Sequence, residues 1–252
     1  MIDMHCHILP GIDDGAQNLE ESVALLREEK RQGIQKIVFT PHFNPERQIL
    51  DHFLTARENS WHHLQATDEF RQLELETKLG AEVYFSMRLT EMDLSKLAFE
   101  NTNYILIEFP VNNRPYGMTR TLQSIIEKGY TPILAHVERY DFFTENPVKL
   151  YDLVSMGCVA QVNAAAVVSG VSVKGVSALQ YINWELAHLI CSDAHSMVRR
   201  APNTQAAYEL VEKKLGHQYT KWLIKNSYDI FQNNYFDEPV SHQPKKFLGK
   251  WR

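Results

Sequence analysis

Cysteine is scarce in this chain of 252 residues. Cys6, Cys158 and Cys191 are odd in number and widely spaced, which fits free thiols in a reducing compartment better than a disulfide framework. Six residues beyond them stand Ile12, Ala164 and Met197, so none opens the C-x5-R loop with which a cysteine phosphatase joins its thiolate to an arginine. No G-x-x-x-x-G-K-[ST] stretch is present either, which argues against a nucleotide kinase. Basic residues are outnumbered, 26 Lys and Arg against 31 Asp and Glu, and the net charge of -5 disfavours a nucleic-acid surface. No apolar run is long enough to cross a bilayer, and the polar start does not read as a signal peptide, so a cytoplasmic, non-membrane-embedded protein is expected. No internal repeat or low-complexity linker divides the chain. With 44% hydrophobic and 23% charged residues it has the composition of one globular domain of α/β-barrel size.

What is present begins at once. Met1 to Gly15 reads M-I-D-M-H-C-H-I-L-P-G-I-D-D-G. If Met1 to His7 is a strand, its alternating side chains put His5 and His7 on one side, and the turn chemistry of Pro10-Gly11 and Asp13-Asp14-Gly15 can bring Asp13 or Asp14 toward the same point. Imidazole and carboxylate together suit divalent first-row metals.

The rest alternates. Asn18, with Glu21 in the capping-box position, opens a helix that Gly33 ends, and Ile34 to Thr40 is a strand delivering Pro41-His42. This strand, helix, strand unit implies parallel neighbours. Glu46 to Phe70 reads as one long or broken helix whose His52, His62 and His63 face solvent. Leu73 to Phe85 is a strand leading through Gly80 to Glu82, and Tyr104 to Pro110 is a strand in which Glu108 interrupts an apolar run. A lone buried carboxylate is expensive, so Glu108 should bind a metal or a cation. Gly117 to Gly129 is a helix, and Thr131 to Ala135 is a strand ending in His136 before V-E-R139. Helices follow at Pro147 to Gly157, Val173 to Leu186, Asn203 to Leu215 and Tyr219 to Phe231. Strands follow at Cys158 to Asn163 and at His188 to Cys191, the latter releasing Ser192-Asp193-Ala194-His195. Residues 1-237 are expected to form the domain and 238-252 a basic tail over its surface.

His5, His7, Asp14, His42, Glu82, Glu108, His136, Asp193 and His195 thus fall just after strands. In a parallel α/β barrel such groups converge on one mouth, and nine are too many for one ion, so a cluster of two or three metals is the economical reading. Without a cysteine in the set, Mn²⁺, Fe²⁺ or Zn²⁺ fits better than a structural thiolate zinc site.

The joint pattern resembles the polymerase and histidinol phosphatase (PHP) superfamily of metal-dependent phosphoesterases. Within it, M-I-D-x-H-x-H-I-L-P-x-I-D-D-G, L-I-E-F-P and A-H-x-E-R resemble the manganese-dependent protein-tyrosine phosphatases encoded with capsular and exopolysaccharide genes of Gram-positive bacteria. The resemblance covers Met1 to about Phe231. It implies a distorted (β/α)7 TIM-like barrel with three metal ions, the first held by His5, His7, Glu82 and Asp193, the second by Glu82, Glu108 and His136, the third by Asp14, His42 and His195. It implies phosphate-binding roles for Arg139 and Arg200, with Arg199 the alternative to the latter. Phosphotyrosine hydrolysis by a metal-activated hydroxide, with the tyrosine-rich tail of a bacterial tyrosine kinase as substrate, is the implied function. The alternatives are a small-molecule phosphatase of the histidinol-phosphate type and a non-catalytic metal-binding module of a polysaccharide-assembly complex.

Overall fold

The computed structural model of the protein describes residues 1–170, 176–234 and 241–252. Its strands are β1 (Ile2–Cys6), β2 (Lys36–Phe39), β3 (His42–Phe43), β4 (Glu76–Leu79), β5 (Glu82–Tyr84), β6 (Tyr104–Glu108), β7 (Thr131–Leu134), β8 (Val159–Asn163) and β9 (Leu189–Cys191). All pair in parallel, in the orders β1-β2-β4 and β3-β5-β6-β7-β8-β9. The two sheets are one curled wall. β2 and β3 are halves of a strand broken at Thr40-Pro41, where proline has no N–H for the ladder, and β4 and β5 are halves broken at Gly80-Ala81. A parallel bridge between Cys6 and Ala194 brings the last strand back to β1, with His7 N–H donating to Ala194 O and Asp193 N–H to His5 O, each at 2.9 Å. Counted by whole strands, the TIM-like wall has the seven members expected.

Crossover helices cover the wall, so strands such as β1 and β8 are buried on both faces, as parallel strands usually are. They are α1 (Leu19–Arg31), α2 (Leu50–Gln65), α3 (Asp68–Arg71), α4 (Met118–Glu127), α5 (Asp141–Thr144), α6 (Val148–Ser155), α7 (Ala164–Ser169), α8 (Ala178–Asn183), α9 (Thr204–Leu215) and α10 (His217–Phe231). Asn18 caps α1 as expected, accepting from Glu21 N–H at 2.9 Å, but the Glu21 carboxylate accepts from Gln17 N–H rather than closing the box on Asn18.

Several expectations are corrected. The Leu73 to Phe85 strand is two short strands. The helix read from Glu46 starts at Leu50, because residues 44–48 form a turn in which Asn44 O accepts from Arg47 and Gln48 N–H. Its break before Thr67, whose hydroxyl caps α3, is the broken form of the helix that the sequence allowed. α7 forms where no helix was read. The helix read over Val173 to Leu186 narrows to α8, since Ser177 and Gln180 form a reciprocal capping box that fixes its start; residues 173–175 lie outside the described residues. The C-terminal stretch carries a small antiparallel hairpin, β10 (Lys246–Phe247) with β11 (Lys250–Trp251), whose Trp251 indole N–H donates to Glu145 O at 3.2 Å. His52, His62 and His63 are exposed, as read.

The imidazole of His188, next to β9, is buried and accepts from Ala160 N–H through Nδ1 at 3.0 Å. Burial pushes its pKa down from 6.5 to about 3. The unfolded chain therefore takes up a proton below pH 6.5 that the folded chain refuses until near pH 3. Stability falls as pH drops through that window, by up to ~1.4 kcal/mol per pH unit from this group. His188→Asn, which keeps an acceptor near Ala160, should show a flatter loss of urea stability between about pH 6 and pH 4. An unchanged slope would contradict a neutral buried imidazole.

Candidate active site

Strand geometry aims the first two imidazoles. β1 alternates Asp3, His5 and His7 toward the barrel interior, and His5 Nε2 and His7 Nε2 come within 3.2 Å of each other. Asp13, in the turn that follows, accepts from His7 Nδ1 at 2.8 Å, from Gly15 N–H at 2.9 Å and from His42 N–H at 3.0 Å. It thereby sets the His7 ring with Nε2 inward, leaving the neighbouring Asp14 to face the cavity. Parallel register adds the next groups in layers: His42 pairs with Glu82, and Tyr84 with Glu108. His136 follows β7, and Asp193 and His195 follow β9.

The nine acids and imidazoles converge. Glu82 is the hub: its Oε2 lies 3.3 Å from His5 Nε2, 3.1 Å from His7 Nε2 and 3.0 Å from His42 Nδ1, while Oε1 lies 2.8 Å from His136 Nε2. Asp14 Oδ1 stands 3.3 Å from His42 Nε2 and 3.5 Å from His195 Nε2. Four overlapping groups have donor atoms within 4.8 Å of one another: His7, Asp14, His42 and His195; His5, His7 and Asp193; His5, Glu82 and His136; His42, Glu82 and Glu108. The second trio the resemblance implied is close as well, since His136 Nε2 lies 3.7 Å from Glu108 Oε1 and 2.8 Å from Glu82 Oε1.

Crowding shifts the charges. Burial disfavours ionised Glu82, yet His5 and the other imidazoles outweigh it and hold this carboxyl well below its ordinary range. Burial likewise opposes charge on Asp193, and His5 and His7 hold its pKa at about 2. Against burial, Asp13 and Glu82 push His7 well up. Burial and the neighbouring Glu82 push Glu108 up to about 7, and burial with the adjacent His7 lowers His195 to about 4. Three buried atoms of these side chains have no hydrogen-bond partner: Glu82 Oε2, despite its ring of imidazole nitrogens, His136 Nδ1 and His195 Nε2. Among converging acids and imidazoles, such atoms are free to act as ligands to an ion. Oxygen and imidazole donors converging without thiolates suit Mn²⁺, Fe²⁺ or Zn²⁺, so the residues present fit a cluster of divalent ions.

Three side chains missed by the sequence reading support the cluster. Gln161 on β8 accepts from His136 N–H at 2.7 Å through Oε1, which also lies 3.2 Å from His5 Nδ1. Its Nε2 donates to Asn163 Oδ1 at 2.8 Å, and Asn163 Nδ2 donates to Asp193 Oδ2 at 2.7 Å. Asp3, also buried, accepts from Ser192 N–H at 2.9 Å and holds the turn before Asp193. His136 and Asp193 both adopt left-handed backbone, φ +31 and +51, an arrangement that costs roughly 1–3 kcal/mol each and persists only where surroundings enforce it.

A cavity of ≈ 590 Å³ opens over the cluster, and Arg139 and Arg200 stand on its wall. Arg139 Nη1 is 3.5 Å and Arg200 Nη1 3.3 Å from Asp193 Oδ2, and Arg200 Nη2 is 3.5 Å from Asp14 Oδ2. Of the two arginines left open, Arg200 lines the cavity and Arg199 does not. The three cysteines are buried and stand outside the donor groups. Among the described residues no helix is long and apolar enough to cross a membrane.

A family model described as capsular polysaccharide synthesis, CpsB/CapC, matches residues 1–232. The tyrosine-protein phosphatase YwqE of Bacillus subtilis is 34% identical over 256 residues, spanning 99% of both chains. The tyrosine-protein phosphatase CpsB of Streptococcus pneumoniae is 33% identical over 238 residues, 89% of this chain and 95% of that one. A solved structure described among the metal-dependent tyrosine phosphatases YwqE of Bacillus subtilis and CpsB of Streptococcus pneumoniae superposes with a TM-score of 0.86 at 32% identity, covering 98% of this chain and all of the other.

Proposed function

From the premise that this chain belongs to the CpsB/CapC family of capsular polysaccharide synthesis proteins, we propose that it is a metal-dependent phosphatase that hydrolyses phosphotyrosine. The observation that carries the reading is Glu82 Oε2, buried, ringed by three imidazole nitrogens at 3.0–3.3 Å and left without a hydrogen bond beneath a cavity walled by two arginines.

His5, His7, Asp14, His42, Glu82, Glu108, His136, Asp193 and His195 would hold the ions, with Mn²⁺ preferred and Fe²⁺ or Zn²⁺ as alternatives. Bound divalent cations supply Lewis acidity there, which generates a nucleophile from water at neutral pH and offsets phosphoryl charge. The protein's own groups do the rest. Arg139 and Arg200 bind the equatorial phosphoryl oxygens and orient phosphorus over the cluster, a task suited to a planar guanidinium fork. Asp13 keeps His7 in one tautomer, and the Gln161-Asn163 pair keeps His5, His136 and Asp193 in place. A tyrosinate, with a pKa near 10, leaves readily enough that a dedicated general acid matters less than for an alkyl ester. The natural substrate is proposed to be the tyrosine-rich tail of a bacterial tyrosine kinase of capsule synthesis, met in the cytoplasm.

The test is hydrolysis of phosphotyrosine, phosphoserine and histidinol phosphate side by side, with and without added Mn²⁺. Phosphotyrosine should be turned over fastest, and only with metal; faster turnover of histidinol phosphate would favour the small-molecule reading. Arg200→Ala should slow phosphotyrosine hydrolysis about a hundredfold, the scale of losing one preorganised charge donor, while Arg199→Ala stays near wild type. Equal effects of the two substitutions would contradict the assignment of the cavity arginine.

A further inference from the structure

A second cleft, ≈ 570 Å³, lies against the first and shares Arg139, Asp193 and Arg200 with it. Its chemistry is different. Asp14, His42, Glu82 and Glu108 line the first cavity and none of them lines the second. Val176 and Ala178 are buried and line the second cleft, along with two exposed residues, Ala165 of α7 and Val111 of the β6–α4 loop. One polar atom on this wall is unanswered: Glu138 Oε1 accepts from Asn163 N–H at 3.1 Å, but Glu138 Oε2 is buried with no hydrogen-bond partner.

Resting on the phosphatase reading above, we propose that this second cleft seats the aryl ring of the phosphotyrosyl side chain, with Glu138 Oε2 accepting a main-chain N–H of the same peptide. Displacement at phosphorus runs in line, so the leaving oxygen departs on the side opposite the attacking one. The arginines that would hold the phosphoryl group are common to both cavities, whose remaining linings divide into the acids and imidazoles of the first and the apolar side chains of the second. The leaving tyrosyl oxygen, and the ring behind it, fall into that cleft. Apolar walls with a few placed polar groups are the usual lining of a ligand pocket, and a buried acceptor without a donor is costly until a ligand supplies one. The first cavity is the more polar of the two, with Asn44, Arg47 and Gln48 beside the acids and imidazoles, and Phe43 and Tyr84 are its aromatic lining.

The experiment narrows the cleft and reads substrate and ring-free ligand separately on the metal-loaded protein. Ala165→Trp, at an exposed position, should raise KM for a phosphotyrosine peptide by about tenfold or more, while the inhibition constant of inorganic phosphate moves less than about twofold and metal content is unchanged. Glu138→Gln, which replaces the free acceptor by a donor or turns it away, should raise the ratio of KM for the peptide to KM for p-nitrophenyl phosphate severalfold, because the second substrate has no main-chain N–H. An unchanged peptide KM in Ala165→Trp, or an unchanged ratio in Glu138→Gln, would overturn the proposal, as would a larger KM rise in Tyr84→Ala, which places the ring in the first cavity. Failure of the phosphatase reading itself would look different: wild-type protein loaded with Mn²⁺ would release no phosphate from the peptide.

Discussion

Glu82→Gln should lower phosphotyrosine hydrolysis by about 10²- to 10³-fold and strip most of the bound metal, which quantitative metal analysis of the purified variant would read directly. The size follows from position. One carboxylate faces His5, His7, His42 and His136 within 3.3 Å, and its charge holds the other groups in their states. Removing one partner of a buried charge cluster costs about 3–5 kcal/mol because the remaining charges stay buried. Gln keeps the shape and one carbonyl acceptor, so the loss reports charge and not a cavity. A variant that kept its metal and its rate would show that Glu82 is a structural acid.

Gly15→Ala should be nearly as damaging, although Gly15 carries no functional group. A Cβ built there lies 1.9 Å from His7 O and 2.5 Å from His7 Cβ, and neither atom can yield without moving the strand end. The turn it closes holds Asp13 against His7 and presents Asp14 to the cavity, so a shift reaches both sides of the cluster at once. Overpacking of this kind costs about 1–3 kcal/mol in stability, and ligands displaced by an ångström lose far more in function. The expected result is a lower melting temperature together with at least a tenfold weaker Mn²⁺ affinity, measured by titration calorimetry. Wild-type affinity would mean that the 13–15 turn is not part of the site.

How much of this was legible in the chain depends on what each residue interrupts. Glu108 breaks an apolar run and His136 ends one, so both stood out against strands that are otherwise hydrophobic. The breaks in the bent strands were marked too, by Pro41 and Gly80, but a single sequence shows a punctuating residue without showing whether the chain turns or continues in line. Gln161 and Asn163 were missed even though they sit two apart on one strand, the same spacing that exposed His5 and His7. Amides in a short buried strand carry no charge to justify, and they were absorbed into the strand. Asp13 and Asp14 were equally placed by turn chemistry; only the reach of Asp13 to His7 Nδ1 at 2.8 Å separates their tasks. The S-x-x-Q box at Ser177 was available and went unused, which is why the helix there was read too long.

The most direct test is a count of ions in the cluster. Protein saturated with Mn²⁺, freed of excess metal and examined by anomalous X-ray diffraction should carry three ions among the nine acids and imidazoles of the barrel mouth, and a chelator that removes them should abolish hydrolysis while alkylation of the buried thiols leaves it intact. A mouth that binds no ion under those conditions, or hydrolysis that survives their removal, would contradict the account.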